Sequence, residues 1–143
     1  MSGLFAILAQ RVGQCPSVGQ AIPATIAAEA ETMTLGPIAT VLVVPAAERW
    51  NPVREAGMMV STGGRFSFSC VVALTFPGGL PEWEAVRTEI RAALLGWTPP
   101  WSEAAGPIEA SGGRLLAYSA AADGRWLHAF DFNLPVQATY EHQ

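Results

Sequence analysis

Between Phe66 and Phe76 the chain alternates without a break. Phe66, Phe68, Cys70, Val72, Leu74 and Phe76 fall on one side, and Ser67, Ser69, Val71, Ala73 and Thr75 on the other. Successive side chains of a strand point to opposite faces, so a period of two over this length predicts a strand with one apolar face in a core and the other small or polar. The rest of the fold has to cover that apolar face.

The flanking segments supply the cover. Ile38 to Val44 is β-branched and apolar on both faces, as expected of a strand inside a covered sheet, and is expected to stop at Pro45. A polar connection, AAERWNP, leads to a run from Val53 to Ser61. Gly63-Gly64 is then read as the turn into the alternating strand, which makes a long hairpin. Beyond the Pro77-Gly78-Gly79 turn, Pro81 suits the first position of a helix in which Trp83, Val86, Ile90 and Leu94 recur at helical spacing, closed by Gly96.

At the start of the chain Ser2 can cap a short amphipathic helix carrying Leu4, Phe5, Leu8 and Val12 on one face and ending at Gly13. Gln14 to Pro23 reads as a loop. Ala24 to Met33 reads as a second short helix stopped by Gly36-Pro37. Downstream, GWTPPWSEAAGP is too rich in Pro and Gly for regular structure. Ile108 to Ala110, Arg114 to Ser119 and Arg125 to Leu134 read as three strands turned at Gly112-Gly113 and Asp123-Gly124. Residues 135–143 are expected to form a loosely ordered tail. The sum is one α+β domain over residues 1–143: a mixed, mainly antiparallel sheet with a long hairpin, packed against two or three helices.

Half the residues are apolar, enough for a real core in a chain of 143. The formal net charge is -4, and all 8 basic residues are arginine, with no run that could track a phosphate backbone, so specific nucleic-acid binding is not expected. The apolar start, Met1 to Val12, lacks a basic leader and a small-residue cleavage site, and no apolar stretch approaches the roughly 20 residues that span a bilayer. No membrane role is therefore expected. Cys15 and Cys70 stand far apart without a C-x-x-C partner, which points away from a disulfide scaffold or zinc site and toward a reducing compartment.

No catalytic, cofactor or metal constellation emerges. The Gly pairs at 63–64, 78–79 and 112–113 fit neither a G-x-x-x-x-G-K loop nor the dinucleotide fingerprint and read as turns. Cys70 lies on the apolar face of its strand, where burial keeps it a thiol. His142 is in the tail, which leaves His128 as the one realistic base, and it shares a strand face with Trp126, Phe130 and Phe132. That setting suits a packed or interface histidine better than a catalytic one. Glu29 with Glu31, and Glu82 with Glu84, stand near helix starts, where negative charge complements the macrodipole. The informative excess is tryptophan. Trp50, Trp97 and Trp101 fall in loop-like sequence beside Pro or Gly, where exposed aromatics mark binding surfaces. With Arg54 and Arg65 of the hairpin they make up the candidate interface.

Three phrases carry a family resemblance: TVLVVPAAERWNPV, then RFSFSCVVALTF leading into PEWEAVRTEIRAALLGWTPP, and the ending GGRLLAYSAAADGRWLHAFDF, together covering about residues 38 to 134. In these phrases and in its order of elements the chain resembles the tail terminator proteins of long-tailed phages and phage-like gene transfer agents. The resemblance implies a structural virion protein rather than an enzyme, with no cofactor. It implies a homo-oligomeric ring of roughly six copies that caps the tail tube and stops polymerisation of the major tail tube protein. The ring would join the tube to the head connector or stopper protein, with DNA able to pass through it. Its place would be the tail of a virion or phage-like particle assembled in the host cytoplasm. The Pro-rich loop bearing Trp97 and Trp101 departs from that pattern. Two alternatives stand beside it: another head-tail joining or tail completion subunit, and a small-molecule-binding α+β domain with a pocket around His128 and Trp126.

Overall fold

The computed structural model describes residues 3–31, 35, 38–74, 79–118 and 126–141. Helix α1, Leu4–Gly13, buries Leu4, Leu8 and Val12 as its spacing predicts, and its cap position is Gly3, which offers no side-chain bond. The expected cap Ser2 lies outside the described residues. So do Met33, Gly36-Pro37, Thr75, Phe76, Pro77-Gly78, Ser119, the Asp123-Gly124 turn, Arg125, His142 and Gln143.

Among the described residues six strands follow: β1 (Val18–Pro23), β2 (Ala39–Trp50), β3 (Arg54–Ala56), β4 (Met59–Leu74), β5 (Glu109–Tyr118) and β6 (Trp126–Glu141). Helix α2, Gly79–Leu94, falls between β4 and β5. They form one sheet in the order β1-β2-β4-β6-β5, with β3 paired to β4. Among the described strand pairs only β1 with β2 is parallel, so the fold is α+β with a mixed, mainly antiparallel sheet.

One face of the sheet carries the main core. Phe66, Phe68, Cys70, Val72 and Leu74 of β4 meet Phe130, Phe132 and Leu134 of β6 under Leu8 and Val12 of α1 and Val86, Ile90 and Leu94 of α2. Phe68 and Phe132, register partners, stack with centroids 5.5 Å apart. The opposite face has a smaller cluster in which Leu42, Val71, Ala73, Leu127 and Ala129 are covered by Ala30. Ala30 belongs to a 3-10 turn, Ala27–Glu31, where a second short helix was expected. Glu89 of α2 ties the two ends of the helical layer together, accepting from the Ser17 backbone N–H at 2.7 Å and from the Ser17 hydroxyl.

Several expected boundaries move. Gln14 to Pro23 is not all loop, because Val18–Pro23 adds a short parallel strand against β2, a pairing invisible to local pattern. Strand β2 does not stop at Pro45. The last β1 pair is Pro23 with Val43, so from Val44 onward β2 is an edge strand, and a bulge between Pro45 and Ala47 absorbs the residue that cannot donate. Gly63-Gly64 is not a turn: both residues lie inside β4, Gly64 opposite Trp50 and Gly63 opposite Gln137. The turn sits at Gly57-Met58, where Gly57 takes φ +62 between paired Ala56 and Met59.

Gly112-Gly113 is likewise internal. The two strands expected around it are the single β5, bent by bulges at Ala110/Gly112 and Leu115/Ala117. Residues 135–141 are not loose. Strand β6 runs through Pro135 to Glu141 and stays paired with β4 as far as Met59. The last β5 partner of β6 is Asn133, and beyond it residues 103–105 take over that side, with Ala105 N–H donating to Pro135 C=O at 2.9 Å and Gln137 N–H to Glu103 C=O at 2.8 Å, so the strand goes on although Pro135 has no N–H to give.

Candidate functional site

Because β2, β4 and β6 run on past the helices, the sheet extends into an arm. From Pro45 to Trp50 every β2 residue is exposed, and β4 from Met59 to Arg65 is only partly covered. The arm is held by backbone ladders and by polar stitches: Asn51 N–H donates to Gly63 C=O at 2.8 Å, and the Thr62 hydroxyl donates to Asn51 C=O at 2.8 Å. Its tip is apolar. Among the described residues the exposed large apolar side chains are Trp50, Val53, Met58, Met59 and Tyr140, all on the arm, plus Ile26 and Ile38 beside β1 and β2. The arm residues among them gather on one part of the sheet rather than lying scattered over the surface.

The five candidate interface residues do not form one patch. Trp50 and Arg54 stand together on the arm, Arg54 exposed on β3 and Trp50 36 % exposed at the end of β2. Arg65 lies further down the sheet and pairs with Glu109 of the same chain at 3.0 Å, both side chains more than half exposed, a contact of small energetic weight. Trp97 and Trp101 fold back against the main core and are half-buried. Arg11 explains the placement of Trp97. Its guanidinium lies 4.6 Å from the indole centroid while its Nε–H donates to Ala93 C=O at 3.0 Å, so one arginine clamps the loop to the end of α2. Sequence reasoning missed the tip residues Val53, Met58, Met59 and Tyr140. The available signal was the Met pair directly after Gly57, too apolar for an ordinary exposed turn.

His128 packs among aromatics, with its ring 5.2 Å from Trp83 and 4.9 Å from Phe130. Its Nδ1 is buried with no hydrogen-bond partner. Burial holds its pKa below the usual value, the Arg87 charge adds to that shift, and Asp131 opposes it. The imidazole is therefore mainly neutral at pH 7. The unfolded chain takes up a proton near pH 6.5 that the folded chain resists, so this residue's contribution is fully present above that pH and fades as pH falls through the window below it. The melting temperature of wild type should drop further than that of His128→Phe between pH 7.5 and 5. Parallel curves would mean that His128 is solvated.

Cys70 is fully buried and its thiol pKa is driven far up, mainly by burial. Cys15, 8 % exposed, is also raised, by burial and then by Glu89, against Arg11. A thiolate-selective chromogenic reagent at pH 8 should label neither cysteine in the native protein and both in denaturant. Prompt labelling of the folded chain would show that α1 and its following turn open readily.

Among the described residues no group of three or more His, Cys, Asp or Glu could hold a metal ion, and no helix is long and apolar enough to cross a membrane. The chain matches no protein-family model and no curated protein. Among solved structures it aligns with a chain of the virion of a native gene transfer agent (GTA) particle, over 93% of this chain and 86% of that one, at 18% sequence identity and a TM-score of 0.40.

Proposed function

We propose that this chain is a structural subunit of a phage-like particle: a tail terminator that closes into a ring of about six copies, caps the tail tube and meets the head connector. The observation that carries the reading is the arm. A sheet that outruns its own core and ends in exposed Met58, Met59, Val53 and Tyr140 gains stability by burying that end against another protein surface. A closed ring needs two complementary patches on each subunit, and an arm with exposed apolar residues, projecting beyond the helical layer, supplies one of them. Trp50 and Arg54 are the arm residues assigned to subunit or tube contacts. Arg65, Trp97 and Trp101 act indirectly by holding the base of the arm and the loop behind it. The partners are further copies of this chain, the major tail tube protein and a connector or stopper protein, in a tail assembled in the host cytoplasm.

Light scattering on the purified protein, with negative-stain imaging of the same sample, tests this. Rings of about six copies are expected for wild type, and Met58→Asp with Met59→Asp should leave monomers of unchanged melting temperature. Binding to a connector but not to tube would make the chain a joining subunit instead. A monomer that binds neither removes the reading.

A further inference from the structure

A second feature lies on the helical face of the sheet, away from the arm tip. Between α2 and the β5–β6 edge is a cleft of about 380 Å³, at the small end of the range for ligand sites. Arg87 and Arg91, four residues apart on α2, share one helix face and both line it. Trp83 and Phe130, with ring centroids 6.1 Å apart, line it as well, and the Arg87 guanidinium lies 5.9 Å from the Trp83 ring centroid. On the β5 side the lining is Ala110, Gly112 and Gly113, and the two glycines place no side chain in the space. A Cβ at Gly113 would stand 3.3 Å from the Ala129 carbonyl oxygen and 3.5 Å from His128 Nε2, so glycine lets this strand lie close against its neighbour.

The charges here are unbalanced. Among the described residues neither Arg87 nor Arg91 has a carboxylate partner, whereas Arg65 has found Glu109 elsewhere on the sheet. Asp131 also lines the cleft, but its carboxylate accepts from the Ser69 hydroxyl. Two half-buried guanidinia beside aromatic rings, with Asp131 the one carboxylate among the described lining residues and paired with neither arginine, form an incomplete site: a guanidinium presents a planar fork of donors that matches a carboxylate, and the rings match an apolar stem.

We infer that the cleft between α2 and the β5–β6 edge binds a carboxylate carried on an apolar or aromatic stem, with Arg87 and Arg91 holding the carboxylate and Trp83 and Phe130 the stem. The carboxylate comes either from an acidic residue of a partner polypeptide or from a free small acid. The site stands whether or not the chain closes into a ring.

The test is a titration of the 15N-labelled full chain with three probes: phenylacetate, its neutral isostere phenylacetamide, and the capped dipeptide N-acetyl-Phe-Glu-amide. The signals followed are the Nε–H resonances of Arg87 and Arg91 and the indole N–H of Trp83. Saturable shifts are expected with the two acids and not with the amide, and Arg87→Gln with Arg91→Gln should weaken binding by roughly tenfold per guanidinium removed. Tighter binding of the dipeptide identifies a partner polypeptide as the source, and tighter binding of phenylacetate a small acid. No saturable shift with either acid, or equal affinity for acid and amide in the wild-type chain, overturns the site.

Discussion

Phe68→Ala should cost about 3–5 kcal/mol of folding stability, among the largest losses expected of any single truncation of a described residue. Phe68 is completely buried in the middle of β4, flanked in register by Pro45 of β2 and by Phe132 of β6, on which it stacks with an interplanar angle of 22°. The sheet ladders on both sides fix the backbone, so the strands cannot close over the missing ring and a cavity remains. A domain of this size is stable by roughly 5–15 kcal/mol in total, so the variant should sit near the limit of folding at growth temperature. Urea unfolding followed by tryptophan fluorescence gives the difference directly. Phe66→Ala is the internal comparison: Phe66 is 9 % exposed and meets Phe5 edge-on at 5.7 Å, near the end of the helical cover, where neighbours can relax. Equal losses at the two positions would mean that the core beneath the arm is packed as tightly as the centre.

The parts of the fold legible in the sequence are those stabilised by one repeating face. The alternation from Phe66 to Leu74 survives as β4, and the helical spacing of Leu4, Leu8 and Val12 and of Val86, Ile90 and Leu94 survives as α1 and α2, because a periodic apolar face is itself the reason each element is buried. The misplaced boundaries share a different physics. Pro45, Gly63-Gly64, Gly112-Gly113 and Pro135 are punctuation by local rules, yet all stand inside strands. A strand can carry a proline where it has one neighbour only, as at Pro45, and a glycine where another backbone comes close, as at Gly64 beside Arg49 and at Gly113 beside Ala129. Both conditions are set by which strands pair, and pairing over long sequence distances leaves no local trace. Strand β1 was hidden for the same reason, since its partner in a parallel pair begins at Ala39.

The candidate site divides along the same line. Trp50 and Arg54 stand on the arm, but the hairpin expected there turns at Gly57-Met58 and not at Gly63-Gly64, and Trp50, expected in a loop, ends strand β2. Trp97 and Trp101 looked exposed because their loop is rich in proline and glycine, but Gly96 N–H donates to Ile108 C=O and Ile108 N–H to Trp97 C=O, folding the loop back onto the core. The arginine cleft was not legible at all. Arg87 and Arg91 on an amphipathic helix look like an ordinary solvated face until β5 is placed beside them.

The misread glycine pair makes the most discriminating variant for the arm. Gly64 and Gly63 are adjacent in β4 and so present opposite faces of the strand, and a methyl group at each meets different surroundings. At Gly64 a Cβ would fall onto the Arg49 carbonyl oxygen and stand 2.9 Å from the Trp50 Cα, both backbone atoms with no rotamer to adopt instead. Gly64→Ala must therefore part β2 from β4 at Arg49 and Trp50, and the Asn51–Gly63 and Thr62–Asn51 hydrogen bonds just beyond go with that opening. The expected cost is about 1–3 kcal/mol, concentrated in the arm, so hydrogen exchange should quicken at Asn51 and the amides around Gly64 while those of Val71 and Phe132 stay protected. If the arm mediates assembly, the same variant should lose ring formation with its core intact. At Gly63 a Cβ would sit 3.6 Å from the Val136 carbonyl oxygen, an ordinary contact, so Gly63→Ala should be close to neutral. A reversal of the two phenotypes would show that β2 and β4 pair one residue out of the register that puts Trp50 opposite Gly64, and the same slip would carry Trp50 to the other face of the arm.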